Sequence, residues 1–344
     1  MKTERLMKVI ELRDDWGLDH LVVSERPKPD PGPGQVLIAM QAASLNFRDT
    51  VMVERGYGRR SGQLPIVPLS DGAGEIVAVG DGVSRVKVGD LVCPAFSQTW
   101  ITGPLKEEYW PGMLGGPHDG VLQEFMALDE TGVVKAPHGY SALQTATLPC
   151  AAITAWSAVA VQGRVKPGDV VLVQGSGGVS LFALQFAKML GARVIATSSS
   201  AAKLERLETL GADHVINYAE DASWGRTARA LAGGAGVDLV VEVGGSRTLE
   251  QSLRAVRSGG TVAMIGVLSG GLAELNLGLV VTQNIRLQGV TIGNRDMLEG
   301  LIGAIEQNGL DPVIDEHVFA FDDAADALRA LPKGEHFGKI CIQF

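Results

Sequence analysis

The residues with the clearest capacity for chemistry lie in VVLVQGSGGVSLFALQFAK, Val170 to Lys188, where Gly175, Gly177 and Gly178 crowd the joint between an apolar run and a helix-like pattern. Glycines at such a joint allow a tight turn, let a pyrophosphate approach the backbone, and leave the free N–H groups of a helix start to meet it. Ser180 stands where the last Gly of a G-x-G-x-x-G pattern is expected, and it is small enough to keep helix and strand close. A glycine-rich strand-to-helix turn can also be plain chain reversal. The context favours a nucleotide cradle, because an apolar strand run precedes the glycines and the amphipathic LFALQFAKML follows them. Gly175, Ser176, Gly177, Gly178 and Val179 are therefore expected to hold a dinucleotide's phosphates.

The next strand run, ARVIATSSSAAKL, ends in Ser198, Ser199 and Ser200, with Lys203 one turn later. A carboxylate there would bind a ribose 2′-hydroxyl and repel a 2′-phosphate, whereas hydroxyls and a cation suit the phosphate, which favours NADP(H) over NAD(H). The alternative is a helix N-cap and a solvated lysine. Tyr218, closing the third strand run, either covers an adenine face or simply packs.

These residues need a scaffold. After about Leu143, strand-like runs (VVLVQ, ARVIATS, HVINY, DLVVEVG, TVAMIGV, IRLQGVTIG) alternate with helical stretches, the rhythm of a doubly wound parallel sheet. The first 130 or so residues carry short β-type runs, Gln35 to Ser44 and Ala73 to Val92, among many Pro and Gly, and predict an irregular antiparallel β-domain. From about Arg295 the chain reads helix, strand, helix, strand without the βα rhythm, so it is expected to pack back onto the N-terminal domain.

With 344 residues, 46% hydrophobic and 20% charged, the chain is long enough for two globular domains. A net charge of −9 without a basic block argues against nucleic acid or an anionic membrane as partner. The N-terminus lacks a secretory apolar stretch, and no later apolar run reaches about 18 residues, so a cytoplasmic location is the expectation. Cys93, Cys150 and Cys341 lie far apart and form no CxxC pair, which reads as three reduced thiols.

With these motifs in place, the whole chain resembles the medium-chain dehydrogenase/reductase superfamily, in particular its zinc-free quinone oxidoreductase, enoyl reductase and alcohol dehydrogenase-like branches. The carriers are AASLNFRD (Ala42 to Asp49), SDGAGEIVAVGDGV (Ser70 to Val83), VKVGDLV (Val86 to Val92), LPCAAITAW (Leu148 to Trp156), VKPGDVVLVQGSGGVS (Val165 to Ser180), LGADHVINY (Leu210 to Tyr218) and HFGK (His336 to Lys339). The resemblance implies a GroES-like β-rich catalytic domain, residues 1–150 and 294–344, around an inserted Rossmann domain, residues 151–293, with the active site in the cleft between them. Zinc members carry a Cys where this chain has Asn46 and a Gly-His-Glu run where it has Leu69, Ser70 and Asp71; only Cys150 remains at the third ligand position. One thiol beside one carboxylate makes a poor zinc site, and the four-cysteine structural lobe is also missing, so no metal is expected.

The resemblance makes Asn46 a candidate for holding cofactor ribose or substrate carbonyl; a turn asparagine capping its own backbone is the other reading. Ser70 and Asp71 would border the substrate space, Asp71 either relaying a proton or pinning a loop. Tyr57 and His118 are either proton donors or solvated loop residues. The segments implied to line the nicotinamide carry over Thr154, Val243, Ile265 and Gly266, with Lys339 near the ribose. The irregular stretch Phe96 to Leu122, with Trp100, Tyr109 and Trp110, is expected to shape a pocket for an apolar or ring-bearing small molecule.

The expected activity is a zinc-independent, NADP(H)-dependent oxidoreductase acting on a quinone, an enone or a related carbonyl compound. Two alternatives stand beside it: an NAD(P)-dependent alcohol dehydrogenase for secondary or aromatic alcohols, and a non-catalytic NADPH-binding protein. The run IRLQGVTIG, expected at the sheet edge, invites pairing with a second copy, so a homodimer is expected.

Overall fold

The computed structural model describes residues 5–344, and the chain divides into two compact units, Met1–Ile153 with Gly293–Phe344, and Thr154–Ile292. The first unit begins with β1 (Leu6–Leu12), β2 (Leu21–Pro27), β3 (Gln35–Ser44), β4 (Asp71–Val79), β5 (Leu91–Pro94), β6 (Phe125–Asp129) and β7 (Val133–Lys135). The second holds β8 (Val170–Gln174), β9 (Arg193–Ser198), β10 (His214–Asn217), β11 (Val237–Glu242), β12 (Val256–Met264) and β13 (Arg286–Gly289). The chain then returns to the first unit with β14 (Ile314–Ala320) and β15 (Lys339–Gln343).

In the second unit the strand order is β10-β9-β8-β11-β12-β13, and every pairing is parallel. Every residue of β8 is buried, as expected of a strand covered on both faces, which is why VVLVQ reads as a continuous apolar run rather than an alternating one. Helices Gly178–Met189, Ala201–Thr209, Trp224–Leu231 and Leu249–Ala255 make the crossovers. This is the doubly wound Rossmann sheet that the rhythm of apolar runs predicts, and β13 lies at its edge.

The first unit is the GroES-like β-rich domain. Its main sheet runs β14-β15-β3-β4-β5-β7, with β6 also pairing β3, so β3 is the central strand. One edge of β3 is shared: residues 35–39 pair β6 and residues 42–44 pair β15. The C-terminal strand thus packs back onto the N-terminal domain, with Cys341 opposite Ser44. Val36, Ile38, Ile76, Met126, Ile340 and Ile342 are among the buried side chains of this core. The stretch after β5 is irregular, with one short helical piece at Glu107–Gly112. Within it Trp100 is buried and stacked on Tyr109, ring centroids 6.2 Å apart. No helix among the described residues is long and apolar enough to cross a membrane.

Candidate functional sites in the two units

In the second unit the glycine joint opens helix Gly178–Met189 at the end of β8. Gly175 has φ +75°, which a side chain would strain, and a Cβ added at Gly175 or Gly177 would meet nothing within 4 Å. The space over the loop is open, so these glycines are not explained by crowding within the protein. The first intrahelical bond here runs from Leu181 N to the Gly177 carbonyl, 3.0 Å. The N–H groups of Gly178, Val179 and Ser180 precede it and have no acceptor inside the helix, which makes this end suited to an anion. Ser180 itself is buried, and its Oγ donates to the Gln174 carbonyl at 2.6 Å.

Ser200 caps helix Ala201–Thr209, its Oγ accepting from Lys203 N–H at 3.4 Å, and its own N–H donates to Ser198 Oγ at 3.3 Å. The capping reading of the serine cluster therefore holds for Ser200, while Ser199 is exposed. Tyr218 is 45% exposed and its N–H bonds the Ser198 carbonyl, so an accessible aromatic ring stands beside the end of β9. Thr154 is buried, and its Oγ1 has no hydrogen-bond partner; it lies between two π-type helical turns, Leu148–Ala152 and Ser157–Gln162. An unpaired buried hydroxyl costs about 1–3 kcal/mol, and π-turns are frequent at functional sites.

Sequence reasoning missed Glu242. This fully buried carboxylate at the end of β11 accepts from Gln174 Nε2 (2.8 Å), Gly244 N (2.8 Å), Gly245 N (2.9 Å), Thr248 Oγ1 (2.5 Å) and Ser252 Oγ. It fixes the turn that carries Val243, and the Ile265 and Gly266 N–H groups bond its own carbonyl. The only sequence trace was a charge closing an apolar strand run, DLVVEVGG.

In the first unit the chain leaves β3 through Leu45 and Asn46 into helix Phe47–Val53. The Asp49 carboxylate reaches back to accept the Asn46 N–H at 2.7 Å, the return half of a capping box. Because β15 lies beside β3, Lys339 arrives at the same point. Its Nζ donates to the Leu45 carbonyl (2.5 Å) and to Asn46 Oδ1 (2.6 Å), and stands 3.9 Å from Asp71 Oδ2. Asp71, at the start of β4, also accepts from Ser70 Oγ (2.8 Å) and from the Cys150 N–H (3.1 Å). Asp71 thus pins the backbone at Cys150 and borders a lysine ammonium. Just before this pair, the buried Leu69 takes φ +66°, and its carbonyl lies where a Cβ at Gly120 would come within 2.0 Å. Strain of this kind clusters at functional sites.

Burial raises the Asp49 carboxyl to about 6, with Arg48 opposing the rise and Asp71 adding to it. Burial likewise pushes Asp71 up against the pull of Lys339. The Cys150 thiol is pushed up by burial and by Asp71. Burial also raises Tyr57, against the opposing pull of Arg48. His118 is exposed, and its Nδ1 faces only the carbonyl of Asp119, as a solvated loop residue would.

This donor set does not fit zinc. It offers one protonated thiol and one carboxylate already bonded to Ser70 and Cys150, with an amide at Asn46 and a lysine ammonium beside both Asn46 and Asp71. Among the described residues no group of three or more His, Cys, Asp or Glu side chains is placed to hold a metal ion.

Known proteins of this architecture bear on the site. Residues 32–138 match the model of the alcohol dehydrogenase GroES-like domain, and residues 178–307 that of the zinc-binding dehydrogenases. A zinc-type alcohol dehydrogenase-like protein of Schizosaccharomyces pombe is 39% identical over 95% of this chain and 96% of its own. The 2-methylene-furan-3-one reductase of Solanum lycopersicum is 31% identical over 91% of this chain and 73% of its own. A Sinorhizobium meliloti structure assigned as an alcohol dehydrogenase superposes with a TM-score of 0.92 at 40% identity, covering 100% of both chains. A mycobacterial protein solved with NADPH gives a TM-score of 0.81 at 28% identity, over 98% of this chain and 100% of its own. The chain belongs to the medium-chain dehydrogenase/reductase superfamily and is an oxidoreductase of the alcohol dehydrogenase-like type.

Proposed function

We propose that the chain is a zinc-independent, NADP(H)-dependent reductase acting on an enone, a quinone or a related carbonyl compound. The observation that carries this reading is the Asn46–Lys339–Asp71 cluster, which has an amide at the position of a zinc-type enzyme's first ligand and an ammonium bonded to it. Bound NADPH would supply the hydride. The protein's part is to orient and to polarise. Gly175, Ser176, Gly177, Gly178 and Val179 would hold the pyrophosphate. Ser198, Ser199 and Lys203 would meet the 2′-phosphate and Tyr218 the adenine, while Thr154, Val243, Ile265 and Gly266 would line the nicotinamide. Asn46 would donate to the substrate oxygen, with Ser70 and Asp71 beside it as the candidate proton path. An NADPH-bound relative and an enone-type reductase among the similar proteins support the cofactor and the substrate class.

The alcohol dehydrogenase names among the relatives support a second reading, oxidation of a secondary or aromatic alcohol. Steady-state assays separate the two. The purified chain is expected to reduce enones or quinones with NADPH at a higher kcat/KM than it oxidises alcohols with NADP+, and to prefer NADPH over NADH. A reversed order would overturn the first reading. We also propose a homodimer formed through β13, an outer strand with one edge free, which follows a segment where Leu272, Leu277 and Val281 are 94%, 66% and 72% exposed.

A further inference from the structure

Lys339 is 2% exposed, and its ammonium ends among a backbone carbonyl, the Asn46 amide and the buried Asp71 carboxylate. Of its two hydrogen-bond acceptors, one is a backbone carbonyl and the other is Asn46 Oδ1, at 2.6 Å. An ammonium has only donors, so the atom it meets must be the amide oxygen, and the orientation of the Asn46 amide is thereby set. The amide nitrogen then points the other way. Nδ2 is buried and makes no hydrogen bond of acceptable geometry. The Asp71 carboxylate is near enough for the Asn46 side chain to help lower its pKa by hydrogen bonding, but Nδ2 carries two N–H bonds and at most one can turn to that carboxylate. The second is a desolvated donor without an acceptor, the state that a ligand oxygen would relieve.

We infer that Lys339 is a positioning residue: by binding Asn46 Oδ1 it presents Asn46 Nδ2 as a fixed donor to the carbonyl oxygen of the substrate. This rests on the reductase reading above and gives Lys339 a role distinct from the ribose contact that family resemblance suggested. Without the ammonium, only the capping-box contact with the Asp49 backbone N–H holds the amide oxygen, and a half-turn that offers the oxygen instead would repel the substrate carbonyl. Asp71, 3.9 Å away, balances the buried charge, so the lysine is held without leaving an isolated cation.

The test is a double-mutant cycle on the full chain, read by steady-state kinetics with whichever carbonyl or alcohol substrate the wild type turns over, and by NADPH fluorescence titration. K339M is expected to lower kcat/KM about tenfold to a hundredfold while changing the NADPH Kd by less than about twofold. K339Q, whose amide can still donate to Asn46, should recover most of the loss. In the N46A background neither substitution should cost anything further. Losses that multiply across the two sites, or an NADPH affinity that falls by the same factor as kcat/KM, would overturn the assignment. If K339M does not fold, K339A, which also removes the donor to Asn46, takes its place in the cycle and is read by the same criterion.

A readout independent of turnover is the side-chain amide signal of Asn46 in protein labelled with 15N-asparagine, assigned by its loss in N46D. K339M or K339Q should shift that signal, and an unmoved signal counts against the inference. A wild-type chain that turns over nothing while this signal responds to Lys339 would sink the reductase reading and leave the positioning role standing.

Discussion

Ser180 Oγ donates a hydrogen bond to the carbonyl of Gln174 across 2.6 Å, tying the first turn of the nucleotide-side helix to the last residue of β8. A glycine in that position would let the two elements touch; the serine joins them by a bond instead. S180A is expected to lower stability by about 1 kcal/mol, seen as a reduced Tm or denaturation midpoint, with the NADPH Kd changed less than about threefold. A large loss of affinity at unchanged stability would mean that the hydroxyl serves the ligand rather than the joint.

Gly177 makes the opposite case. A Cβ there meets nothing in the protein, and its φ of −79° suits any residue, so G177A is expected to fold with an unchanged Tm. If the loop cradles a pyrophosphate, the methyl group blocks the approach and NADPH binding weakens by about tenfold or more. Undiminished binding in the titration would return the loop to plain chain reversal.

Asp49 predicts a pH dependence of stability. Its carboxyl titrates at about 6 in the folded chain against an ordinary 3.8, so the unfolded chain loses this proton first and ionisation favours unfolding. The penalty is absent below about pH 4, grows through about pH 6 and is complete above it. Arg48 and Lys339 lessen it, and Asp71 adds to it. Replacement by asparagine keeps an oxygen for the Asn46 N–H and removes the titration. The difference in stability between D49N and the wild type should therefore move in favour of the variant by about 2–3 kcal/mol between pH 4 and pH 7. A difference that stays flat with pH would show that Asp49 titrates normally.

Dialysis against a strong chelator is expected to leave kcat and Tm unchanged, because the cluster of Asn46, Ser70, Asp71, Cys150 and Lys339 offers no adequate zinc ligand set. Activity lost to the chelator and restored by added zinc would refute the metal-free reading. C150S should behave likewise, retaining activity.

Sedimentation velocity is expected to find a dimer, and V281D or L277D to shift it toward monomer, since each places a charge among the exposed apolar side chains of the segment that leads into β13. A monomeric wild type at micromolar concentration would end that proposal.

Much of the second unit was legible in the sequence. Its central strand runs are apolar because they are covered on both faces, its turn glycines are needed for local backbone reasons, and its order along the chain is the order in which the crossovers are built. Local signals of that kind survive in a linear string. The serine at 180 was legible too, as a small residue, though its bond to Gln174 was not. What only the tertiary structure decided are pairings between side chains distant in sequence. Lys339 reaches Asn46 across 293 positions because β15 lies against the far half of β3, and Glu242 gathers donors from β8, from its own turn and from the following helix. No periodicity marks such contacts, since they depend on strand register and chain return rather than on neighbours. The residues at the positions that the family resemblance assigns to zinc ligands implied that the ligands were missing; the fold determined that a lysine, an amide and a carboxylate meet there.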